Sequence, residues 1–250
     1  MRNESDTTAD HSLKPDLWLS GVMGRQAWRV EHGTGGRPFT ELAAPGPGFA
    51  YAKVPVVEIG TVRQLTDAGF RVVDTALTFE GAIGGEADRG GVRFARADDR
   101  ESVAGIAASA FRYSRFHLDP LIPRELADAI KATWAMNYFE GKRGDGMIVA
   151  EHDNRVVGFL QLLWSAPDYL VIDLVGVAPA SQGRGIGRDM ILYAARHGTG
   201  DGRVPSRISV GTQAANVPSV RLYESLGLRL CVAQYVLHHH GSGKWGGDDH

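Results

Sequence analysis

VAPASQGRGIGR, residues 177–188, is the stretch on which the fold depends. An apolar run, residues 169–177, leads into it, and an amphipathic run, residues 189–197, follows it. Between the two runs lie three glycines at alternate positions, with an arginine on either side of the last pair. The pattern predicts a strand, a glycine-rich turn and a helix. Consecutive backbone N–H groups at the positive end of a helix bind anions, usually phosphate, so we expect a phosphate site here.

The composition is that of an ordinary globular protein. The 250 residues are 43% apolar and 22% charged, with a formal net charge of −2 and no basic block, so we expect no nucleic-acid partner. Cys231 is the single cysteine, which excludes an intrachain disulfide and fits a reducing compartment. Residues 1–16 lack the apolar core of a signal peptide, and no run approaches the roughly 20 apolar residues of a membrane-spanning helix. We therefore expect a cytoplasmic protein with no membrane insertion.

Glycine-rich and polar stretches predict two domains with tails at both ends. Residues 81–91 hold five glycines and little apolar surface, which is typical of a linker. Before it, residues 17–80 predict a small α+β domain. After it, residues 92–240 predict a larger domain. Residues 1–16 and 241–250 are polar, and the first of these tails is predicted to be disordered.

The second domain reads in the order β-α-α-β-β-β-α-β-α-β. Its middle, residues 147–164, is a hairpin, which favours a mixed, mostly antiparallel sheet with helices on both faces over a doubly wound parallel sheet. The N-terminal domain contains one internal similarity, because residues 63–71 can be laid on residues 221–229. Both are a helix, a glycine and a strand. The first domain is therefore either a degenerate half-copy of the second or an instance of a common local structure.

Two familiar phosphate-binding motifs do not fit the glycine turn. A Walker A loop requires Lys-Ser/Thr after its glycines, and a dinucleotide-binding fingerprint requires Gly-x-Gly-x-x-Gly early in a β-α-β unit. Here the spacing is Gly-x-Gly-x-Gly, and the turn follows a hairpin late in the domain. A turn without a ligand would explain one or two glycines, but not three together with Gln182, Arg184 and Arg188.

The stretch resembles the acetyl-CoA signature of the GNAT N-acetyltransferase superfamily, Gln/Arg-x-x-Gly-x-Gly/Ala, which residues 182–187 match at every position. The resemblance covers about residues 92–239 and implies the GNAT fold with acetyl-CoA as cosubstrate, a longer acyl donor being left open. It implies that the turn amides hold the CoA pyrophosphate and that an exposed strand edge pairs with the pantetheine arm. The donor-binding residues it implies are Val175, Gly176, Val177, Gln182, Gly183, Arg184, Gly185, Ile186, Gly187, Arg188 and Asn216.

The resemblance also assigns a general acid. An amine attacks the thioester carbonyl, and Tyr223 would protonate the departing CoA thiolate, although a packed aromatic is the alternative for this residue. A backbone N–H at Val175 or Val177 would polarise the carbonyl. A base must take a proton from the amine, which arrives mostly as ammonium. The candidates are Asp173 and His117, followed by Asp119, Glu80 and Glu151.

A second resemblance concerns the acceptor. The Ser-Arg-Phe run at 114–116 and a C-terminal Tyr235-x-x-His238 segment are similar to the nucleotide-sugar branch of the superfamily, typified by TDP-fucosamine acetyltransferase. Arginines at 112, 115 and 124 suit a diphosphate, and aromatic residues at 113, 116 and 134 suit a base or sugar face, unless the arginines are solvated and the aromatics are core. The predicted acceptor-binding residues are Arg112, Ser114, Arg115, Phe116, Asp119, Trp134, Asn137 and His238.

These features predict an acetyl-CoA-dependent N-acetyltransferase acting on a nucleotide-linked amino sugar in polysaccharide biosynthesis. The alternatives are a GNAT enzyme acting on an antibiotic, a small amine or a protein N-terminus, and a non-catalytic acyl-CoA-binding module. The chain departs from the nucleotide-sugar branch at residues 18–24, where a Trp-Asp-x-x-Phe-Phe-Gly segment is expected. We expect no metal at His238-His239-His240, because adjacent strand residues point to alternate faces. The expected partner is a small-molecule amine, and a homodimer is left open.

Overall fold

The computed structural model describes residues 10–33, 47–84 and 90–241. Within these ranges no helix is both long and apolar enough to span a bilayer. The strands are β1 (Asp10–Pro15), β2 (Ala27–Gly33), β3 (Phe49–Pro55), β4 (Arg71–Gly81), β5 (Val92–Phe94), β6 (Gly146–His152), β7 (Arg155–Ala166), β8 (Tyr169–Val177), β9 (Arg207–Gln213) and β10 (Arg229–His240). The helices are α1 (Leu17–Met23), α2 (Ile59–Asp67), α3 (Arg100–Ala107), α4 (Arg115–Leu118), α5 (Arg124–Phe139), α6 (Ile186–His197) and α7 (Val217–Ser225).

The chain divides into two compact units whose limits differ from the predicted domains 17–80 and 92–240. The first unit runs to Thr75 and takes up the chain again at Ala233, and the second unit is Ala76–Val232. The cause is β10, which pairs with β3 from Gln234 to His240 and so returns the end of the chain to the first unit. A strand shared in this way cannot be read from local sequence. Most of the predicted linker, residues 85–89, lies outside the described residues.

In the first unit β1 is antiparallel to β2, β2 is parallel to β3, and β3 is antiparallel to β10. The predicted disordered tail 1–16 is wrong for its last part, since residues 10–15 form β1. The reason is tertiary: Leu13 lies opposite Val30 and packs against the apolar cluster of this unit, which its polar sequence neighbours conceal. The remainder of that tail, residues 1–9, and the tail residues 242–250 lie outside the described residues.

The second unit contains a mixed sheet in the order β4-β9-β8-β7-β6-β5, antiparallel except for β8 with β9. Successive residues of β6 fall in different apolar clusters. Ile148 belongs to the same cluster as Met190 of α6 and Tyr223 of α7, whereas Met147 belongs to the cluster that contains Val103 of α3. Helices therefore cover both faces of the sheet, and the predicted GNAT fold is confirmed. The predicted loop 112–123 contains one short helix, α4.

A β-bulge in β8 lies at the point where β8 and β9 cease to pair. Gln161 of β7 lies opposite Leu174 and Leu162 lies opposite Ile172, so Asp173 is an extra residue in β8. A bulge of this kind bends its strand and interrupts the ladder. The parallel pairing of β8 with β9 ends at Ile172 opposite Val210, directly before the bulge. From Asp173 onward, no described strand of the second unit pairs with β8 on the β9 side.

The internal similarity extends to local geometry. Gly69 after α2 and Gly227 after α7 have φ angles of 89° and 85°, a conformation that favours glycine and ends each helix. The next amide, Phe70 N, donates to Leu65 O, and Leu228 N donates to Tyr223 O in the same way. Leu65 thus takes the place of Tyr223 in the first unit. The origin of that unit as a half-copy stays a prediction.

Candidate active site

The glycine turn presents backbone N–H groups at the start of α6. Gly183 and Gly185 have φ angles of 76° and 83°, and Gly185 is the N-cap of α6. The first bond within the helix runs from Asp189 N to Gly185 O at 3.0 Å, so the N–H groups of residues 186–188 have no acceptor inside α6. These groups and the positive end of the helix dipole form an anion site. The turn therefore fits the pyrophosphate of CoA.

The edge of β8 beyond the bulge leads into this turn. Ala178 N donates to Val157 O of β7 at 2.8 Å. Because successive strand residues direct their N–H and C=O groups to opposite sides, the groups of Val177 and Val175 point away from β7. Gln182 Nε2 donates to Val177 O at 3.0 Å, which leaves the Val177 N–H and both Val175 groups along the edge. An extended arm such as pantetheine can pair with groups arranged in this way.

Helix α7 carries Asn216 and Tyr223. Asn216 is the N-cap, and its Oδ1 accepts a bond from Ser219 N at 3.4 Å. Tyr223 is 2% exposed and packs against Phe79, with 5.8 Å between ring centroids. Burial raises the pKa of Tyr223 to about 12, and a hydrogen bond with the Ser219 side chain acts in the opposite direction. The phenol therefore keeps its proton at neutral pH. A general acid requires this, but a tyrosine that is only packed in the core would be protonated as well.

Asp173, the bulge residue, is held by four donors. Its carboxylate accepts bonds from Trp134 Nε1 at 2.8 Å and from Arg143 Nε at 2.8 Å and Nη2 at 2.6 Å. Gln161 Nε2 is a fourth donor at 3.3 Å. The bond to Asp173 raises the pKa of the Arg143 guanidinium, which therefore stays protonated. Four donors occupy the oxygens of this carboxylate, so its contacts favour a role in fixing the bulge.

Three other base candidates are engaged in local pairs. Asp119 Oδ1 accepts a bond from Leu121 N at 2.9 Å, which closes a turn. Glu80 accepts from the Tyr169 hydroxyl at 2.8 Å. Glu151 is paired with Arg93. These contacts give each carboxylate a structural partner, and none of them points to proton transfer.

His117 differs from the other candidates, because both of its ring nitrogens have partners that could pass a proton. Nδ1 is 2.6 Å from Ser114 Oγ, and Nε2 is 2.9 Å from Asp128 Oδ1. Burial lowers the pKa of His117, and the bond to Asp128 opposes this shift. The imidazole is therefore neutral at pH 7 and able to accept a proton.

Several predicted acceptor residues are buried, and their assignment as contacts stays a prediction. Phe116, Asn137 and His238 are 1%, 6% and 1% exposed, so their side chains do not face solvent. His238 belongs to the first unit, where its ring packs edge-on to Phe49 at 4.7 Å. Trp134 is occupied by its bond to Asp173. Burial could not be read from the Ser-Arg-Phe run, because its short helix turns successive side chains to different sides.

The exposed part of the acceptor region is smaller than predicted. Arg112 is exposed, Tyr113 is 38% exposed, and Arg115 is half-buried with its guanidinium 4.3 Å from the Phe116 ring centroid. Sequence reasoning missed two residues that bind predicted site residues: Arg143 binds Asp173, and Asp128 binds His117. Arg143 and Asp128 lie outside the motifs, and the one signal for Arg143 was its place in the turn after α5. The chemistry available to a ligand here is one or two guanidinium groups and an aromatic ring.

Comparisons with known proteins agree with this geometry. Residues 113–228, just under half of the chain, match the model of the acetyltransferase (GNAT) family. The spore coat polysaccharide biosynthesis protein SpsD of Bacillus subtilis is 31% identical over 140 residues, which are 56% of this chain and 47% of that protein. Mycothiol acetyltransferase of Thermomonospora curvata is 38% identical over 85 residues, which are 33% of this chain and 27% of that protein. The chain thus spans less than half of either curated relative.

Among solved structures, the GCN5-related N-acetyltransferase from Sphaerobacter thermophilus superposes with a TM-score of 0.57. The match covers 93% of this chain and 76% of the other at 13% identity, so it bears on the fold alone. The stretch matched by the family model includes the glycine turn, the bulge and α7.

Proposed function

We propose that this chain, which contains an acetyltransferase domain of the GNAT family, transfers the acetyl group of acetyl-CoA to a primary amine. One observation carries the proposal: the bulge at Asp173 separates β8 from β9 directly before the anion-binding turn. A strand edge that ends at a pyrophosphate site matches the length and chemistry of CoA, a peptide-like arm joined to a diphosphate.

In this proposal the donor is held mainly by backbone groups. The N–H groups of residues 186–188 and the dipole of α6 hold the pyrophosphate. The edge groups of Val175 and Val177 pair with pantetheine. One of their N–H groups polarises the acetyl carbonyl, because charge develops on its oxygen in the transition state.

The proposed reaction is a direct attack. The amine nitrogen forms a bond to the acetyl carbon, the carbon–sulfur bond breaks, and the sulfur takes the Tyr223 proton as it leaves. Because burial raises the pKa of Tyr223 to about 12, the phenol is protonated throughout the range in which amines are partly neutral. Asn216 caps the helix that carries Tyr223 and so positions the hydroxyl.

For the acceptor we propose an amino sugar linked to a nucleotide. The support is the similarity to a protein named for spore coat polysaccharide biosynthesis, together with the exposed Arg112 and Tyr113. Guanidinium groups bind diphosphates bidentately, and an aromatic ring stacks on a base or sugar. We further propose that the reaction takes place in the cytoplasm, in line with the lone Cys231.

Two observations favour a second candidate, a small amine without a nucleotide. Phe116 and Asn137 are buried, which reduces the surface available for a nucleotide. The other curated relative is named mycothiol acetyltransferase, and its name contains no nucleotide-linked acceptor. The two candidates predict different dependence on Arg112.

The test is release of CoA thiol from acetyl-CoA with a panel of acceptors. The panel contains TDP- and UDP-linked amino sugars, the free amino sugars, simple amines and peptides. Each amino sugar is matched by the same sugar with a hydroxyl in place of the amine. We expect release only with the amine, and a lower KM with the nucleotide-linked form, which Arg112→Gln raises.

Other outcomes choose between the candidates. Equal KM values for linked and free amino sugars would favour the small amine. Binding of acetyl-CoA without release on any acceptor would favour a non-catalytic acyl-CoA-binding module. Size-exclusion chromatography of the same preparation decides whether the chain forms a homodimer.

A further inference from the structure

A row of three hydrogen-bonded side chains lies beside the proposed acceptor region. Ser114 Oγ is 2.6 Å from His117 Nδ1, and His117 Nε2 is 2.9 Å from Asp128 Oδ1. Ser114 is the residue before α4, His117 lies one turn later, and Asp128 comes from the second turn of α5. One imidazole thus joins the start of α4 to α5. This row is separate from the donor groups of β8 and α6.

The partners of His117 determine its tautomer. A carboxylate only accepts hydrogen bonds, so the proton on the neutral ring lies on Nε2, facing Asp128. Nδ1 then carries a lone pair and accepts the bond from the Ser114 hydroxyl. The order of donors therefore runs from Ser114 through His117 to Asp128, and a proton arriving at Ser114 Oγ can move in the same direction.

Burial and the neighbouring charges together set the pKa of His117. From α5 it faces the carboxylate of Asp128 and the cations Lys131 and Arg124, and its own helix carries Arg115. Burial, which has the largest effect, and the two α5 cations lower the pKa of His117, whereas Asp128 raises it. Asp128 is the one acidic group in this set, so it is the group that stabilises the imidazolium after a proton arrives.

Helix α5 connects this row to the diverging edge of β8. Asp128 and Trp134 both lie on α5, with a rise of about 9 Å between them along the axis. Trp134 Nε1 donates to Asp173 at the bulge. The row and the bulge are therefore both bonded to side chains of the same helix.

We propose that Ser114, His117 and Asp128 form the proton exit route for the attacking amine, with Asp128 as a positioning residue. The inference rests on the proposed function, because the proton comes from the amine of that reaction. As the nitrogen–carbon bond forms, the amine proton passes through water to Ser114 Oγ, because Ser114 is only 3% exposed. The Ser114 hydroxyl proton moves to His117 Nδ1, and the Nε2 proton stays on the imidazolium beside Asp128. The proton given by Tyr223 to sulfur is a separate one.

The central experiment compares Asp128→Asn with Glu125→Gln. Both changes replace a carboxylate of α5 by an amide of the same size, but Glu125 is exposed in the first turn and does not contact His117. The measurement is kcat against pH with saturating acetyl-CoA and the best acceptor of the panel. Dividing the profile of each variant by that of the parent protein removes the titration of the acceptor amine.

We expect Asp128→Asn to lower the plateau of the kcat profile by about tenfold, with KM for acetyl-CoA unchanged. Because the imidazolium loses its carboxylate partner, the pKa of His117 falls further, and the acidic limb of the profile moves to lower pH. Glu125→Gln should move neither the plateau nor the limb. His117→Gln should remove the limb and reduce turnover roughly 100-fold, and Ser114→Ala should reduce it about tenfold.

A readout that does not depend on turnover is the tautomer of His117. Long-range ¹H–¹⁵N spectra of the full chain should show Nε2 protonated and Nδ1 unprotonated at pH 7, and Asp128→Asn should change the balance of the two forms. A spectrum with the proton on Nδ1 in the parent protein would contradict the relay whatever the rates are.

The relay and the proposed function fail in different ways. If the parent protein releases CoA but the Asp128→Asn profile keeps its acidic limb, the relay is wrong and the acetyltransferase proposal stands. A drop in kcat without a shift of the limb would assign Asp128 a structural role only. If no amine supports CoA release, the proposed function is wrong, and the relay is overturned with it because no amine proton needs removal.

Discussion

The proposed donor region and the proposed acceptor region of the second unit use different parts of the chain. The glycine turn and the β8 edge present backbone N–H and C=O groups. The segment from Arg112 to Phe139 presents side chains, and most of these are paired with one another, as Trp134 is with Asp173 and His117 is with Asp128. The first region is therefore altered mainly through backbone conformation, whereas the second can be altered by side-chain replacement.

This difference has a consequence for specificity. Backbone groups bind what every acyl-CoA shares, so the donor region needs glycines and a bulge rather than particular functional groups. Paired side chains bind through the few atoms left exposed, such as those of Arg112 and Tyr113. We therefore expect changes in the donor region to affect all acceptors alike, and changes in the acceptor region to affect some acceptors more than others.

The largest expected effect is that of Tyr223→Phe, which removes the proposed general acid. Loss of the acid should reduce turnover about 100-fold or more, with the affinity for acetyl-CoA changed by less than about twofold. Tyr193→Phe in α6 is the matched control, since it removes the hydroxyl of a half-buried tyrosine that packs against Phe94. Steady-state kinetics and calorimetric titration measure the two effects.

The pH profile of the parent protein tests the same assignment. The acid must be protonated, so activity is lost only as pH rises through the pKa of about 12 for Tyr223. Between pH 7 and pH 10 this group should add no basic limb to the rate profile. Unchanged turnover in Tyr223→Phe would show that Tyr223 is only a packed aromatic residue and would contradict its assignment as the general acid.

A glycine pair isolates the contribution of turn conformation. Gly183 and Gly202 have φ angles of 76° and 86°, and a β-carbon at either position would meet nothing within 4 Å. Alanine at each position carries a similar conformational cost of about 1 kcal/mol. Gly183→Ala should weaken acetyl-CoA binding by about tenfold, because it displaces the turn amides. Gly202→Ala should leave this affinity within about twofold of the parent, and equal effects would disprove the role of the turn.

Asp173→Asn tests the bonds that join β8 to Trp134 and Arg143. The amide keeps the size of the side chain but weakens the bonds to Arg143 and Trp134, so we expect a loss of stability of about 2 kcal/mol and a less than tenfold fall in turnover. Thermal unfolding and kinetics measure the two effects. A fall in turnover as large as that expected for Tyr223→Phe, without loss of stability, would restore Asp173 as the base and contradict the relay through His117.

The smallest expected effect is that of Asn216→Ala. Removal of the N-cap bond to Ser219 should destabilise the protein by about 1 kcal/mol and lower turnover a few-fold, since α7 positions Tyr223. Asn216→Asp keeps a cap acceptor and should restore most of both. If the alanine variant lost acetyl-CoA affinity and the aspartate variant did not recover it, Asn216 would contact the donor rather than only cap the helix.

The features that could be predicted from the sequence are local ones. The order of strands and helices follows from apolar periodicity, and the anion-binding turn follows from glycines whose positive φ angles few other residues adopt. The cap at Asn216 is signalled by the residue type and by Pro218 in the first turn of the helix. In each case the information lies within a few residues of the feature.

The features that could not be predicted depend on pairing between distant segments. The bulge at Asp173 exists only in the register of β7 with β8, and Arg143 reaches Asp173 from a turn 30 residues earlier. β1 is polar in sequence and is held by its neighbour β2. The burial of Phe116 is set by the packing of a four-residue helix. Several of the acceptor-binding residues predicted by motif resemblance therefore have side chains that do not face solvent.

The diverging edge of β8 also bears on the solubility of the protein. A strand edge with unpaired N–H and C=O groups is a template for a strand of another molecule, and such pairing leads to aggregation. Here the edge is only residues 173–177, the bulge bends it, and Gln182 Nε2 occupies the carbonyl of Val177. Gln182 thus leaves one acceptor fewer on this strand edge for a second chain to pair with.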